Sequence, residues 1–440
     1  MEDRRTVQDT HDLSLRRIKN EILALNERLV LLSSADTAAP NNAITSEHQS
    51  IRLALLSKIR ERINTEDILD LHRSVSTPAH LLPFEIWAQI FSLCMPDIRF
   101  PSWDTQFTPV VVGRVCSRWR SMTRLMPELW SSISFDILPG MGNKRPRWMP
   151  LIHAFLNRSV HHPLSIQIIW YQSKFEQGLP AFTDYFLDLI TSASARWKHL
   201  DITVPSEFLR PFLEARLPIL ETFTIGSDAD PPLTLRDVPR LRSVVFSSFY
   251  LRPLTWNIPW NQLTELVSKT LLGIEDVKRI LHQCPRLQCF QLRVTRSATW
   301  YRPVDVIVQN PALVVLPELR RFAMVIRHGD SVFSILDHLE CPALEEIRFS
   351  GVQSAPIPPT YPTVIQPKPY ILALISRSKC TLRKLIFENF PRLNDLEIRD
   401  LLTRIPNLTE MAITFNGNDA LNDDFKAILA DRRARMSRLE

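Results

Sequence analysis

The stretch PALEEIRFS at residues 342–350 is the clearest copy of a pattern that recurs through the second half of the chain. A leucine is followed by two variable residues, an apolar residue, one variable residue and a second apolar residue. The alternation at its end predicts a half-buried β-strand. A proline stands two positions before the leucine, and because proline lacks a backbone donor and ends helices, it predicts a turn that leads into the strand.

The same frame occurs nine times between residues 197 and 413, which predicts an internal repeat. We call the leucine position and the two apolar positions of each copy its first, second and third anchors. The nine sets, in chain order, are Trp197-Leu200-Ile202, Leu220-Phe223-Ile225, Leu241-Val244-Phe246, Leu263-Leu266-Ser268, Leu287-Phe290-Leu292, Leu319-Phe322-Met324, Leu344-Ile347-Phe349, Leu382-Leu385-Phe387 and Leu408-Met411-Ile413. Successive first anchors lie 21 to 38 residues apart. This spacing suits one strand and one return helix per unit, with insertions such as the proline-rich stretch after Gln353.

The frame resembles that of leucine-rich repeat proteins, although the asparagine ladder that usually follows the strand is missing. We therefore expect an α/β fold in which residues 161–440 form an irregular leucine-rich-repeat solenoid of strand plus helix units. An ordinary mixed α/β domain with regularly spaced strands is the alternative, since short apolar matches also arise by chance.

The first 77 residues carry a different, helical periodicity. A seam with steps of three and four predicts a helix, and it consists of Leu15, Ile18, Ile22, Leu25, Leu29 and Leu32. A second helical stretch, about residues 46–72, places Ile51, Leu55, Ile59 and Ile63 at four-residue spacing. The two helices can pair within the chain as an antiparallel hairpin or pair between chains as a coiled coil, and both remain open.

Two short apolar segments lie between these regions: HLLPFEIWAQIFSLCMPD at 80–97 and VVVGRVCSRWRSMTRLMPELWSSISF at 110–135. Pro83 suits the first turn of a helix, and Ile86, Ile90 and Phe91 then form an apolar stripe at helical spacing. A unit of about 50 residues with so much apolar surface favours a partner.

These segments resemble the F-box, most closely that of F-box proteins from mushroom-forming fungi. We accordingly expect an F-box at residues 78–135 and a linker at 136–160; the stretch from Asp97 to Pro109 is longer than a compact F-box usually allows. The resemblance implies docking of the Skp-type adaptor of a cullin-RING ubiquitin ligase. The expected adaptor contacts are Leu82, Pro83, Ile86, Ile90, Phe91, Val115, Trp119, Leu129 and Trp130.

The resemblance also implies that this chain is a non-catalytic substrate-recognition subunit. A scaffold that docks the adaptor without ligase function is the alternative. The substrate surface is expected on the strand face, at the residues that alternate with the anchors. Its charged members include Arg321, Glu346, Arg348 and Lys384, whose mixed signs favour a protein partner over a nucleic acid. The proline-rich insertion could instead cover this face.

Composition excludes several other classes. The net charge is +6, and the basic residues are dispersed among 47 acidic residues. The charge therefore does not indicate a nucleic-acid partner. No apolar stretch is long enough for a membrane helix and the first residues lack a signal peptide, so we expect an intracellular protein of cytoplasm or nucleus. The six cysteines are expected as free thiols, His161 and His162 as a surface pair, and Trp256 and Trp260 as a buried turn. We predict no catalytic residue, metal or cofactor.

Overall fold

A computed structural model describes most of the chain. The described residues are 2–36, 42–75, 82–102, 108–138, 149–171, 183–229, 234–235, 237–248, 253–294, 313–326, 330–351, 367–389, 395–415, 418–419, 421 and 423–436. The chain divides into two compact units. The first contains Met1–Met95 and Thr108–Leu125, and the second contains Pro96–Phe107 and Met126–Glu440.

The first unit begins with two long helices, α1 (Glu2–Asp36) and α2 (Asn42–Val75). They run antiparallel, because ion pairs join Arg28 to Glu47 near the turn and Glu21 to Lys58 farther along. Ile18 and Ile51 are buried, and the other described seam residues of α1 are half-buried. Of the two pairings that the sequence left open, the helices form the hairpin within the chain.

One residue of the predicted α2 stripe does not belong to it. Ile51 is buried and Leu55 and Ile59 are half-buried, whereas Ile63 is exposed. Four residues turn an α-helix through about 400°, so a strict four-residue spacing drifts by about 40° at each step. After three steps Ile63 has rotated out of the seam.

Three short helices complete the first unit. They are α3 (Phe84–Leu93), α4 (Thr108–Val115) and α5 (Ser117–Arg124). Pro83 precedes α3 as its N-cap, and its carbonyl accepts from the Trp87 amide at 3.3 Å. The proline therefore starts this helix, as the sequence predicts.

The second unit is built on a twelve-stranded sheet. Its strands, in spatial order, are β1 (Ser132–Ile137), β2 (Leu164–Trp170), β3 (Trp197–Thr203), β4 (Thr222–Gly226), β5 (Ser243–Phe246), β6 (Glu265–Leu272), β7 (Cys289–Val294), β9 (Arg321–Ile326), β11 (Glu346–Gly351), β12 (Lys384–Glu388), β13 (Glu410–Phe415) and β14 (Asn418–Asp419). Neighbours pair parallel throughout except for antiparallel β13 and β14. Two further strands, β8 (Val314–Val315) and β10 (Leu339–Glu340), form a separate parallel pair.

The sheet register follows the repeat frame. Leu200 pairs with Phe223, and the second anchors continue in register from strand to strand as far as Met411. Every anchor of the nine predicted copies is buried, including Ser268. The nine predicted strands are thus confirmed, and the second unit is an α/β structure with a sequentially ordered sheet.

The remaining helices lie mostly between successive strands. They are α6 (Met149–Arg158), α7 (Thr183–Thr191), α8 (Leu209–Leu213), α9 (Ile274–Gln283), α10 (Lys368–Ser378), α11 (Asp395–Arg404) and α12 (Asp423–Met436). Short 3-10 helices occur at Pro127–Trp130, Ser194–Arg196, Ser206–Phe208, Pro253–Thr255, Trp260–Gln262 and Asp330–His338. The anchors face these elements, because Trp197 packs against Phe212 of α8 at 5.9 Å and Phe349 against Phe333 at 5.2 Å.

Two expectations about this region need correction. The sheet begins at Ser132, and the expected linker at 136–160 contains the end of β1 and helix α6, whose Met149, Ile152 and Phe155 are buried. Within the described residues, no α-helix joins β4 to β5 or β5 to β6. Prolines such as Pro239 and Pro253 interrupt these connections, because proline cannot continue a helix.

Arginines cap the carbonyl ends of three helical segments. Arg196 donates to Leu156 O at the end of α6, Arg377 to Leu336 O in the 3-10 helix and to Leu339 O just after it, and Arg432 to Ile405 O at 2.9 Å. Each arginine follows the strand that comes after the helical segment it caps. The C-terminal end of a helix has unpaired carbonyls and a partial negative charge. Each guanidinium therefore connects a helical segment to the part of the chain that follows the next strand.

Candidate functional site

An aromatic cluster forms the core of α3–α5. The ring centroids of Trp87 and Trp119 lie 4.8 Å apart, and those of Phe91 and Trp119 lie 5.1 Å apart. Trp87 and Phe91 are buried, whereas Trp119 is half-buried. The cluster therefore packs α3 against α5, and the other apolar side chains of these helices are not part of it.

The junction of α4 and α5 is a tight turn built from the sequence GRVCSRWR. Cys116 Sγ accepts from the Trp119 amide and caps α5, while Arg120 Nε donates to Gly113 O at 2.9 Å. A Cβ at Gly113 would lie 3.3 Å from Thr123 Oγ1, so a larger residue would crowd this turn. The turn holds Val111 and Val115 of α4 on an exposed surface.

The predicted adaptor contacts fall into two groups. Pro83, Ile86 and Val115 are exposed, and Leu82, Ile90 and Trp119 are half-buried. Val115 is 59% exposed, which is unusual for a valine in a helix of a folded unit. Phe84, Leu93 and Leu125 of the same unit are exposed as well, so the first unit leaves several large apolar side chains at its surface. We call these exposed and half-buried predicted residues, Leu82, Pro83, Ile86, Ile90, Val115 and Trp119, the docking surface.

Phe91, Leu129 and Trp130 are buried instead, which removes them from the surface that the sequence predicted. Phe91 belongs to the aromatic cluster. Leu129 and Trp130 lie in the second unit, where the Trp130 ring packs against the Arg158 guanidinium at 4.3 Å. These three residues have the apolar character of the motif but serve as core.

The strand face opposite the anchors has three regions. The first, which we call the polar end, consists of Ser134, Gln167, His199, Asp201 and Thr222. Ser134 Oγ donates to Gln167 Oε1, and Gln167 Nε2 donates to Asp201 Oδ2, both at 2.8 Å. His199 Nδ1 lies 2.8 Å from Thr222 Oγ1. This network links four adjacent strands by side chains in register.

Burial perturbs two titrating groups of the polar end. Burial, together with the nearby Arg99 and Lys198 cations, lowers the pKa of His199 to about 4. Burial also raises the pKa of Asp201, an effect that the hydrogen bond from Gln167 opposes. His199 is therefore neutral at pH 7, and it acts there as a hydrogen-bonding group rather than a charge.

The second region, the ionic end, contains Glu346, Arg348, Lys384, Glu388 and Glu410. Arg348 bridges Glu346 and Glu388, each at 3.3 Å, and Lys384 pairs with Glu410 at 2.8 Å. The structure therefore brings together three of the four predicted substrate residues, Glu346, Arg348 and Lys384, each already in an ion pair within the sheet. The fourth, Arg321, is exposed on β9 in register with Glu346.

Between these regions lies the neutral centre: Thr224, Val245, Val267, Gln291 and Ala323, which are consecutive partners across β4, β5, β6, β7 and β9. Gln291 is exposed and the other four are half-buried. The proline-rich insertion that could cover this face lies at residues 352–366, outside the described residues.

No protein-family model matches the chain, and no curated protein does either.

Other features offer little chemistry. Among the described residues, no group of three His, Cys, Asp or Glu side chains could hold a metal ion, and no helix is long and apolar enough to cross a bilayer. Burial raises the pKa values of the Cys284 and Cys341 thiols to about 12. The six cysteines are free, as predicted, although Cys94 is exposed. His161 and His162 lie at the surface, while Trp256 and Trp260 are buried, as predicted.

Sequence reasoning missed the polar end. β2 has Pro163 at the first position of the frame, so this strand was not counted. β1, with Trp130-Ile133-Phe135, fits the frame as Trp197-Leu200-Ile202 does, but these residues were assigned to the F-box. The signal was nevertheless present: the stretch LSIQIIW at 164–170 alternates apolar and polar residues through its first five positions. Counting this strand would have aligned Gln167 with Asp201.

Proposed function

We propose that this chain is the substrate-recognition subunit of a cullin-RING ubiquitin ligase. In this proposal the F-box formed by α3–α5 binds a Skp-type adaptor, and the second unit binds a target protein. The observation that carries the proposal is the exposure of Pro83, Ile86 and Val115, three apolar residues at motif positions.

Physical argument supports a docking role for these side chains. Burying an exposed isoleucine or valine contributes about 1.5 to 3 kcal/mol, so a folded unit that leaves several of them at the surface forgoes considerable stability. The aromatic core of Trp87, Phe91 and Trp119 organises the unit without them. An apolar surface held on a rigid core suits a protein partner.

We further propose that the second unit is an irregular leucine-rich-repeat solenoid. Support comes from the parallel strands in chain order, the anchors in register and the helices on the anchor side of the sheet. Each strand-plus-helix repeat then buries its apolar face by stacking on the neighbouring repeats. A repeat array leaves one strand face for a partner, which is the use proposed here.

Within that face, the neutral centre is the preferred contact for the target protein. The charged side chains of the ionic end already pair with neighbours within the sheet. A charged group of a partner could bind them only by breaking those ion pairs. The neutral centre offers Val245 and Val267 together with Thr224 and Gln291, a mixture typical of protein interfaces. We therefore expect a folded or extended protein segment with few charges at the contact.

The chain performs no chemistry in this scheme. Ubiquitin transfer belongs to other subunits, and this protein raises the effective concentration of the target beside them. Its contribution depends on holding both partners at once.

The test is tandem affinity purification of the full-length chain from its native host. Recovery of adaptor and cullin together is expected, and it should be lost in the Leu82→Ala, Pro83→Ala double variant with an unchanged circular dichroism spectrum. Adaptor without cullin would favour the scaffold alternative. Absence of the adaptor, or its full recovery with the double variant, would contradict the F-box assignment.

A further inference from the structure

Helix α2 carries a second apolar stripe that the hairpin does not use. Leu56 and Ile63 are 63% and 47% exposed, although the hairpin already buries Ile51 on the same helix. Ion pairs such as Glu21–Lys58 hold the two helices together independently of this stripe. Exposed aliphatic residues repeated on one helix favour a further partner.

Charged residues bracket the stripe in a definite order. Arg52, Leu56, Ile63 and Asp67 are separated by four, seven and four positions, so they lie within about 60° of arc on the helix. Arg52 and Asp67 are both exposed. Ile51 lies about 140° away from Leu56 around the same axis, so this line of residues is distinct from the seam.

We propose that a second copy of this chain covers the stripe, with the two α2 helices packed antiparallel about a twofold axis. In that register Leu56 meets Ile63 of the second copy, and Arg52 meets Asp67 of the second copy, because each pair has residue numbers that sum to 119. The surface is therefore complementary to itself, as a twofold contact requires. Parallel packing in register would instead oppose Arg52 to Arg52.

The extent of the stripe sets the expected strength. Residues 52–67 span about 24 Å of helix, so the interface is small. Small interfaces are typical of weak association, and we expect a dissociation constant in roughly the micromolar range. The dimer does not depend on the proposed ligase function, because neither the docking surface nor the strand face takes part.

The experiment is sedimentation equilibrium of the full-length chain from about 1 to 100 μM. A monomer–dimer equilibrium is expected, weakened by more than about tenfold in Ile63→Glu. Ile68→Glu is the matched control, because Ile68 is 42% exposed on the same helix but points away from the stripe. Helical content by circular dichroism should be equal in both variants.

Charge reversal tests the antiparallel register. Arg52→Glu and Asp67→Arg should each weaken the dimer, and the double variant should recover it, because the exchanged charges meet again across the twofold axis. A chain that stays monomeric at about 100 μM would overturn the proposal. So would a dimer that is equally sensitive to Ile63→Glu and Ile68→Glu, or a double variant no stronger than the singles.

Discussion

Truncating Leu344 to alanine should destabilise the second unit far more than truncating Leu396. Leu344 is a first anchor with 0% exposure, and the neighbouring first anchors Leu319 and Leu382 are buried as well. Leu396 on α11 is 77% exposed. Both substitutions remove the same atoms from a leucine, so their difference reports burial alone.

The magnitude follows from the atoms removed. Leucine to alanine deletes three carbon atoms, which at about 0.8 kcal/mol each contribute roughly 2.4 kcal/mol, and the cavity left in a tightly packed site raises this to about 3 to 4 kcal/mol. At Leu396 the expected change is within about 0.5 kcal/mol.

Urea unfolding followed by tryptophan fluorescence is a suitable assay, because Trp130, Trp197, Trp256 and Trp260 are all buried in the second unit. Leu344→Ala should shift the midpoint to lower urea without changing the slope. Equal midpoints for Leu344→Ala and Leu396→Ala would refute the assignment of the frame leucines as core anchors.

Three further outcomes follow from the contacts described above. Arg377→Ala should lower the free energy of unfolding by about 1 to 3 kcal/mol, because Leu339 O loses its donor; a loss no larger than that of Arg399→Ala, an exposed residue, would contradict the capping role. Because burial lowers the pKa of His199 to about 4, protonation favours unfolding, and stability should fall by about 1 to 2 kcal/mol as pH decreases from about 6.5 to 4, after allowance for partial exposure. Replacement by glutamine should flatten this part of the stability profile, and an unchanged profile would exclude His199 as its source. Val267→Lys should release target proteins but retain the adaptor in affinity purification. Val315→Lys, at an exposed valine of β8 outside this face, should release neither, and retention of every target by Val267→Lys would place recognition elsewhere.

The repeat frame predicted the core better than the surface. The anchors could be read from sequence because alternate burial imposes a period of two, and the same period recurs in every copy. The strand β2 was missed because Pro163 occupies the leucine position, and β1 was missed because its residues were assigned to the F-box. Their place in the sheet comes from pairing of β1 with β2 and of β2 with β3, and the pattern of a single strand does not specify its neighbours.

The sequence does not show which surface side chains interact across strands. Arg348 and Lys384 were selected for their charge, yet their partners Glu388 and Glu410 lie on strands distant in sequence. Phe91 and Trp130 were selected for their place in a motif, which records apolar character but does not say whether a residue is core or contact. Ile63 was assigned to the seam from spacing alone, without the drift of a four-residue step.

The central claim is tested most directly by the affinity of the purified full-length chain for a purified Skp-type adaptor. Wild type should bind, and Ile86→Glu should weaken binding by about 30-fold or more, as loss of an interface anchor worth about 2 kcal/mol does. Leu13→Glu, at an exposed leucine of α1 in the same unit, should bind like wild type. Absence of wild-type binding, or equal affinities for all three proteins, would contradict the account.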